Sequence, residues 1–378
     1  MIKNTPPMGW NSLNTFGANI NEQLIRETAD IMVNEGFLDL GYEYLVIDDC
    51  WAEKERDENG RLVPDHTKFP NGMKAVADYV HSKGLKFGMY SCAGNLTCAR
   101  YPGSFEREFI DAQTFAEWGV DYLKYDYCFH SNIIHGKYLY RRMGLALKNC
   151  GRDILFSACS WGADKTAEWI RETGANMWRS TGDIFDSWES VKNLTNEQEA
   201  ILPYGGMGCF NDMDMLVVGM YGKGNVGLSG LNDTQYKTHF SIWALFGSPL
   251  MIGCDIREMT DATRKILSNK ELIAINQDAD CRQVIKLEHV SQWRFVDFKI
   301  YARYLENGDI ALGFFNLTDN EETALFNIDQ LGLPESTGKT LEMHEVWTGE
   351  TEIVKNGTFI KKIPSCDCLV YRCKVVDA

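Results

Sequence analysis

Hydrophobic and polar positions follow two alternating periods along residues 8–278. Short β-branched or aromatic runs are each followed by a polar connection and then by a segment of helical period. This alternation is typical of βαβ units built on a parallel sheet. The runs that predict strands lie at 8–12, 42–48, 85–91, 120–126, 154–159, 176–181, 207–211 and 249–253.

Helical segments fill the intervals between these runs. The clearest are residues 21–36, 71–84, 105–119 and 234–248, and several end in Gly where a left-handed C-cap is favoured. Eight strand–helix units, repeating roughly every 30 residues, have the size of a (β/α)8 TIM barrel. A doubly wound open sheet is disfavoured, because no GxGxxG turn follows any of the first three strands.

The pattern changes after Asn276-Gln277-Asp278. Strand-length segments at 299–305, 309–317, 323–328 and 368–376 are separated by turns that contain Gly or Asn. We therefore predict a catalytic (β/α)8 barrel over residues 1–278 and a C-terminal antiparallel β-sandwich domain over residues 279–378. For the second domain we expect a stabilising or accessory role.

Polar and aromatic residues gather at the predicted C-terminal ends of the barrel strands. In YLKYDYC (122–128), Lys124 and Asp126 are two residues apart and so share one strand face. Functional residues of α/β barrels project from these strand ends. The others are Asp48, Asp49, Trp51, Tyr90, Cys92, Arg179, Asp183, Asn211, Asp212, Asp214 and Asp255. For Asp186, Asp212 and Asp255, helix N-capping is a better explanation than a role in a site.

Charge and composition restrict the partners. The net charge of −15, without a basic block, argues against nucleic acid and anionic lipid as partners. A neutral or polar small molecule fits better, and a homodimer is compatible with the sequence. No apolar run approaches the ~18 residues of a membrane span, and the first residues lack a signal-peptide core. We therefore expect a cytoplasmic, bacterial protein, with a secreted mature chain as the alternative.

Cysteine and histidine spacing indicates neither a disulfide scaffold nor a metal site. The 12 cysteines are scattered, none forms a CxxC pair, and the seven histidines form no HxxxH cluster. We expect mostly buried, reduced thiols, no structural metal and no cofactor. Lys124 and Arg179 among the carboxylates also disfavour a divalent cation.

Paired carboxylates with aromatic neighbours, but without a nucleotide motif, suggest glycoside hydrolysis. Trp51, Tyr90, Trp161 and Trp178 would offer flat faces to a sugar ring. Strands four and six are separated by one strand, so Asp126 and Asp183 are able to approach the ≈ 5–5.5 Å that retaining enzymes need.

Several longer motifs of the barrel are similar to those of a known enzyme family. PPMGWNS (6–12), YEYLVIDDCW (42–51), residues 94–128, WRSTGDIFDSW (178–188) and NDMDML (211–216) occur in order along the barrel. Together they resemble the family 27 glycoside hydrolases, which include α-galactosidases and α-N-acetylgalactosaminidases. The resemblance implies a retaining double displacement on a terminal galacto-configured sugar of a glycan or glycoside.

The resemblance also implies residue roles. Asp126 would be the nucleophile and Asp183 the acid/base. Asp48, Asp49 and Lys124 would bind sugar hydroxyls, Arg179 would lie beside the 2-substituent, and Tyr90 near the nucleophile. The remaining implied members are Asp214 and Met215 on the pocket wall, and Cys98 and Cys128 as a disulfide beside the sugar. Cys50 and Cys159 would lack disulfide partners, which suits a bacterial or intracellular protein.

Substrate preference is predicted from two small residues after strand five. Ser160 and Ala163 stand where typical α-galactosidases carry larger side chains, so they would leave room for a 2-acetamido group. The lead substrate is therefore an α-linked N-acetylgalactosaminide. An α-galactoside is the alternative, and a β-L-arabinopyranoside comes third. Leu13 stands where the family commonly has a stacking Trp, and a carbohydrate-binding protein on an inactive barrel is the non-enzyme alternative.

Overall fold

The computed structural model describes residues 2–289 and 297–378. The chain divides into two compact units. The first contains residues up to Gly230 together with Pro249–Thr260, and the second contains Leu231–Ser248 together with Asp261–Ala378. The predicted domain boundary at residue 278 stays a prediction. The division into compact units places residues 261–278 with the second unit.

Eight parallel strands form the sheet of the first unit. They are β1 (Met8–Asn11), β2 (Tyr44–Val46), β3 (Lys86–Cys92), β4 (Tyr122–Asp126), β5 (Leu155–Cys159), β6 (Met177–Arg179), β7 (Phe210–Asp212) and β8 (Leu250–Ile252). Neighbours follow chain order from β1 to β7, and β8 pairs with β1. A parallel bridge between Leu216, after β7, and Ile252 in β8 joins the two ends of the sheet. The predicted α/β barrel is therefore confirmed.

The described residues of this unit form six α-helices. They are α1 (Leu13–Phe16), α2 (Glu22–Asn34), α3 (Gly72–Ser82), α4 (Glu108–Trp118), α5 (Gly136–Asn149) and α6 (Trp188–Glu199). Asn21 caps α2 by accepting a hydrogen bond from Leu24 N, and Gly119 ends α4 at φ 84°. The helix predicted from residue 105 begins three residues later, because Glu106 takes a left-handed φ of 60°.

The second unit combines helices with two antiparallel sheets. Its helices are α7 (Asp233–Phe246), α8 (Asp261–Leu267) and α9 (Lys270–Asn276). Its strands are β9 (Ile285–Leu287), β10 (Phe298–Tyr304), β11 (Ile310–Asn316), β12 (Glu322–Asn327), β13 (Lys339–Glu345), β14 (Thr351–Ile353), β15 (Thr358–Ile363) and β16 (Cys368–Asp377). Alternate residues of these strands, such as Phe314, Phe326 and Met343, form one buried core. The predicted β-sandwich is confirmed. Helix α7 connects β7 to β8, and it packs against α8 and α9 in this unit.

Cysteines occur mainly as buried thiols. Ten are free and buried, among them Cys50 and Cys159, as predicted. Cys98 and Cys128 form a disulfide with a Cα–Cα distance of 5.2 Å. Within residues 2–289 and 297–378, the helices are too short or too polar to cross a membrane.

Candidate active site

A cavity of about 450 Å³ opens at the C-terminal ends of the barrel strands. This is the end of an α/β barrel where substrates bind. Most of the predicted site residues line it: Asp48, Asp49, Tyr90, Cys98, Lys124, Asp126, Arg179, Asp183 and Asp214. The structure therefore brings together side chains that lie up to 166 positions apart in the sequence, as the spacing from Asp48 to Asp214 shows.

Strand β4 supplies the charged floor of this cavity. Lys124 and Asp126 both line the cavity, because residues two apart on a strand face the same side. Lys124 Nζ donates to Asp48 Oδ2 at 2.8 Å, and Asn11 Nδ2 donates to the same oxygen at 2.8 Å. Burial opposes the charge of Lys124, but Asp48 raises its pKa well above the ordinary lysine value. Lys124 is therefore a permanent cation beside Asp126.

The Asp126 carboxylate is fixed by two donors. Tyr90 Oη donates to Oδ2 at 2.8 Å, and the Tyr127 backbone N–H donates to Oδ1 at 2.9 Å. Burial raises the pKa of Asp126 to about 6, although Lys124 and the Tyr90 hydrogen bond act in the opposite direction. Asp126 is thus held in one orientation and is ionised at neutral pH.

Arg179, at the end of β6, lies between two further carboxylates. Its Nη2 donates to Asp183 Oδ1 at 2.9 Å, and its Nη1 lies 3.1 Å from Asp214 Oδ1. Burial acts to raise the pKa of Asp183, but the charge and hydrogen bond of Arg179 bring it below the usual aspartate value. The Asp183 side chain remains 62% exposed, so solvent reaches it.

A loop after β3 completes one side of the cavity. The Ala99 backbone N–H donates to Asp49 Oδ2 at 2.9 Å, and Asp49 Oδ1 accepts from Cys50 N at 2.7 Å. The Cys98 sulfur lies 3.6 Å from Asp126 Oδ2, and its disulfide to Cys128 ties this loop to the segment after β4. Asp49 and the nucleophile candidate are therefore supported by the same covalently closed loop.

Four predicted site residues do not line the cavity: Ser160, Ala163, Met215 and Cys128, the disulfide partner of the lining residue Cys98. Cys159 ends β5 and faces the cavity, so the next residue, Ser160, faces the opposite side. Ser160 is fully buried, and its Oγ lies 2.6 Å from Thr166 Oγ1. Ala163 begins a 3₁₀ segment that follows β5, and Met215, the next residue after Asp214, is buried.

Of the four aromatic residues that were predicted to contact a sugar, two line the cavity and two do not. Tyr90 and Trp161 line the cavity, whereas Trp51 and Trp178 do not. The Trp51 indole N–H donates to Tyr90 O at 2.9 Å, which places it behind the strand that carries Tyr90. The Trp178 side chain is fully buried, and it lies on the opposite face of β6 from the cavity residue Arg179. Their flat faces are thus unavailable to a sugar in the cavity.

Sequence reasoning missed one side of the cavity mouth. Phe185, Asn225 and Val226 line it, and none of them had been assigned a role. The signal was the Gly-rich segment YGKGNVGLSG (221–230), which follows β7. Long Gly-rich loops after barrel strands commonly carry binding residues. Leu13, noted as replacing an aromatic residue, also lines the cavity.

This arrangement is suited to acid/base and nucleophilic chemistry on a polar ring. One buried carboxylate is oriented by two hydrogen bonds, and a second, exposed carboxylate faces the same cavity. A buried lysine and further carboxylates around them match the hydroxyl groups of a sugar. Pairs of carboxyl groups in different environments are the usual equipment of glycoside hydrolysis.

Comparisons with known proteins agree along the whole chain. A family model described as alpha galactosidase A matches residues 5–278. A second, described as alpha galactosidase C-terminal beta sandwich domain, matches residues 296–373. The chain is 44% identical to an α-galactosidase of Cyamopsis tetragonoloba over 368 residues, which covers 97% of this chain and 85% of that protein.

Two further relatives extend this result. An α-galactosidase of Coffea arabica is 45% identical over 368 residues, covering 97% of this chain and 93% of that protein. The crystal structure of α-galactosidase I from Mortierella vinacea superimposes with a TM-score of 0.90 at 32% identity. That match covers 98% of this chain and 96% of the other.

Proposed function

The chain belongs to the α-galactosidase family of glycoside hydrolases, family 27, and on this premise we propose that it hydrolyses terminal α-galactosides with retention of configuration. Asp126 acts as the nucleophile and Asp183 as the acid/base. The observation that carries the proposal is the pair of carboxylates on one cavity, of which only Asp126 is buried and doubly hydrogen-bonded.

The first half of the reaction forms a glycosyl-enzyme. Asp183 gives its proton to the glycosidic oxygen, the bond from this oxygen to the anomeric carbon breaks, and the leaving group departs as an alcohol. Asp126 attacks the anomeric carbon from the opposite face and forms a covalent bond with it. Tyr90 Oη and Tyr127 N hold the attacking carboxylate in place.

The second half releases the sugar. Asp183, now ionised, takes a proton from a water molecule, and the resulting hydroxide attacks the anomeric carbon. The bond to Asp126 breaks, and the product leaves with its original configuration. The exposure of Asp183 supports this role, because water must reach it.

The surrounding charged residues bind the galactosyl ring in this proposal. Asp48 and Lys124, which already bond to each other, share hydroxyl groups at one edge of the ring. Asp49 accepts from another hydroxyl, and Arg179 donates on the side of the 2-hydroxyl. Each of these contacts replaces the hydration of the sugar by an oriented charged group.

The galactoside now ranks above the N-acetylgalactosaminide, which reverses the order drawn from the sequence. That order depended on Ser160 and Ala163 facing the 2-substituent, yet neither lines the cavity. The similar proteins with the higher identities are α-galactosidases. An inactive sugar-binding barrel is disfavoured, because both carboxylates are present and oriented at one cavity.

Hydrolysis of three 4-nitrophenyl glycosides tests the proposal: the α-galactoside, the α-N-acetylgalactosaminide and the β-L-arabinopyranoside. We expect the largest kcat/KM for the α-galactoside, with NMR showing α-galactose as the first product. A larger kcat/KM for either of the other glycosides contradicts the proposed substrate. Release of β-galactose first contradicts the double displacement.

A further inference from the structure

An apolar and amide patch lies at the mouth of the cavity, on the side of Asp183. It consists of Phe185, Asn225 and Val226, which we call the mouth patch. Phe185 is 44% exposed and lines the cavity. No step of the mechanism described above uses these three residues.

The mouth patch is held in place by its backbone. Asp186 pairs with Gly227 in a parallel bridge, and the Asp186 N–H donates to Val226 O at 3.0 Å. The buried Asp186 carboxylate also accepts from Gly222 N at 2.6 Å. Phe185 therefore lies beside Val226, and its backbone N–H is fixed by Ser190 Oγ at 3.0 Å.

The position of the patch relates it to the leaving group. Asp183 must reach the glycosidic oxygen to protonate it, so the group beyond that oxygen lies on the Asp183 side of the cavity. Phe185 is two residues further along the same segment and faces the same cavity. The galactosyl ring, in contrast, requires the buried charges of Asp48, Lys124 and Asp126.

The chemistry of the patch fits a second sugar ring. The phenyl ring of Phe185 and the methyl groups of Val226 cover the C–H face of a pyranose. The Asn225 carboxamide offers both a donor and an acceptor for its hydroxyls. A site that combines one apolar surface with a few polar groups is typical of small-molecule recognition.

We propose that Phe185, together with Asn225 and Val226, binds the sugar that leaves in the first step. This inference rests on the proposed α-galactosidase activity. Because kcat/KM includes steps only up to departure of the leaving group, it reports these contacts directly. The second half of the reaction proceeds after this sugar has left.

Phe185→Ala tests the inference with two substrates that share the galactosyl ring. One is galactose α-1,6-linked to glucose, and the other is α-galactosyl fluoride, whose leaving group is a single atom. We expect kcat/KM for the disaccharide to fall by about five- to tenfold, since one aromatic contact is lost. For the fluoride it should change less than about twofold. Phe185→Trp should restore the disaccharide rate.

A matched control is Phe109→Ala, which removes an exposed phenyl ring on α4, away from the cavity. It should leave both rates unchanged, and galactose should inhibit every variant equally. Equal losses of Phe185→Ala on both substrates, or no loss on either, overturn the inference. If the unmodified enzyme hydrolyses neither substrate, the proposed function itself fails, and the inference falls with it.

Discussion

The two sides of the cavity differ in how deeply their charged side chains are buried. On the inner side, Asp48 and Lys124 have side chains only 1% and 10% exposed, and they bond to each other. On the outer side, the Asp183 side chain is 62% exposed and Phe185 faces solvent.

This difference separates two tasks. Burial on the inner side orients Asp126 and raises the cost of its charge, which suits a nucleophile that loses its charge on attack. Openness on the outer side admits water and leaving groups of different size. In the proposed reaction, the sugar ring is therefore bound at one set of strand ends, and its leaving group and water are exchanged at another.

The strongest test of the inner side is Asp126→Gly. Turnover of an aryl α-galactoside should fall by about 10⁴-fold or more, because the covalent step is lost. Added azide should restore turnover and yield β-galactosyl azide, since azide occupies the place of the missing carboxylate. Mass spectrometry and NMR identify this product.

Asp255→Asn is the control for that experiment. Asp255 caps a short 3₁₀ segment and binds Arg257, away from the cavity lining. It should retain nearly full activity. Substantial turnover by Asp126→Gly without azide would remove Asp126 from the role of nucleophile.

The outer side is tested by Asp183→Ala. Loss of the acid should cost about 10²–10⁴-fold in kcat/KM on a disaccharide, whose leaving group needs a proton. The loss should be much smaller for an activated aryl leaving group. Azide should give α-galactosyl azide, the opposite anomer to that from Asp126→Gly. Equal losses on both substrates would contradict the assignment as acid/base.

The pKa values of the two sides predict an acidic optimum. The active form needs Asp126 ionised and Asp183 protonated. It carries one proton, as does the inactive form in which Asp126 is protonated and Asp183 is ionised, so the ratio of the two forms does not depend on pH. The kcat/KM profile should therefore be level between the lowered pKa of Asp183 and the pKa of about 6 of Asp126. Above pH 6 it should fall about tenfold per unit. A profile that stays level to pH 8 would contradict this explanation.

The free energy of unfolding should depend on pH, because the Asp126 carboxylate is charged and buried. The folded state binds the Asp126 proton more tightly than the unfolded chain, whose carboxyl pKa is about 4. The free energy of unfolding therefore falls as the pH rises from about 4 to about 6. Asp126→Asn removes this term, so its stability relative to the unmodified protein should increase by about 2–3 kcal/mol between pH 4 and pH 8. Thermal unfolding at several pH values measures the difference.

The smallest effect is expected for Ser160→Ala. The hydroxyl bonds to Thr166 behind the cavity, so its loss should cost about 1 kcal/mol of stability. The ratio of galactoside to N-acetylgalactosaminide hydrolysis should not change. A change of that ratio would show that Ser160 reaches the 2-substituent after all, as the sequence had suggested.

The sequence predicted most of the barrel because local rules determine it. All eight strands were placed within a few residues, since runs such as YLVI are apolar on both faces. Asp126 and Lys124 were found by the alternation of a strand, which the structure follows. Asp183 was found as one of several carboxylates near the strand ends, and the motifs of the family added its role as acid/base.

What the sequence did not predict depends on tertiary packing. Ser160 directly follows a strand end, but the sequence did not show which of Cys159 and Ser160 faces the cavity. In the structure Cys159 faces it. Asn225 comes from a loop without periodicity, and its position depends on the bridge of Asp186 to Gly227. Helix α7 connects β7 to β8 as a barrel helix does, but its packing against α8 and α9 could not be derived from its own pattern.

The ten buried thiols have a further consequence. In the folded chain a thiol-modifying reagent should react slowly, so the labelling rate of each cysteine measures how often its surroundings open. Cys92 and Cys159 report on the barrel strands, and Cys368 and Cys373 on the C-terminal sheet. Mass spectrometry of labelled peptides would then give the local opening free energy of each unit separately, without any added probe.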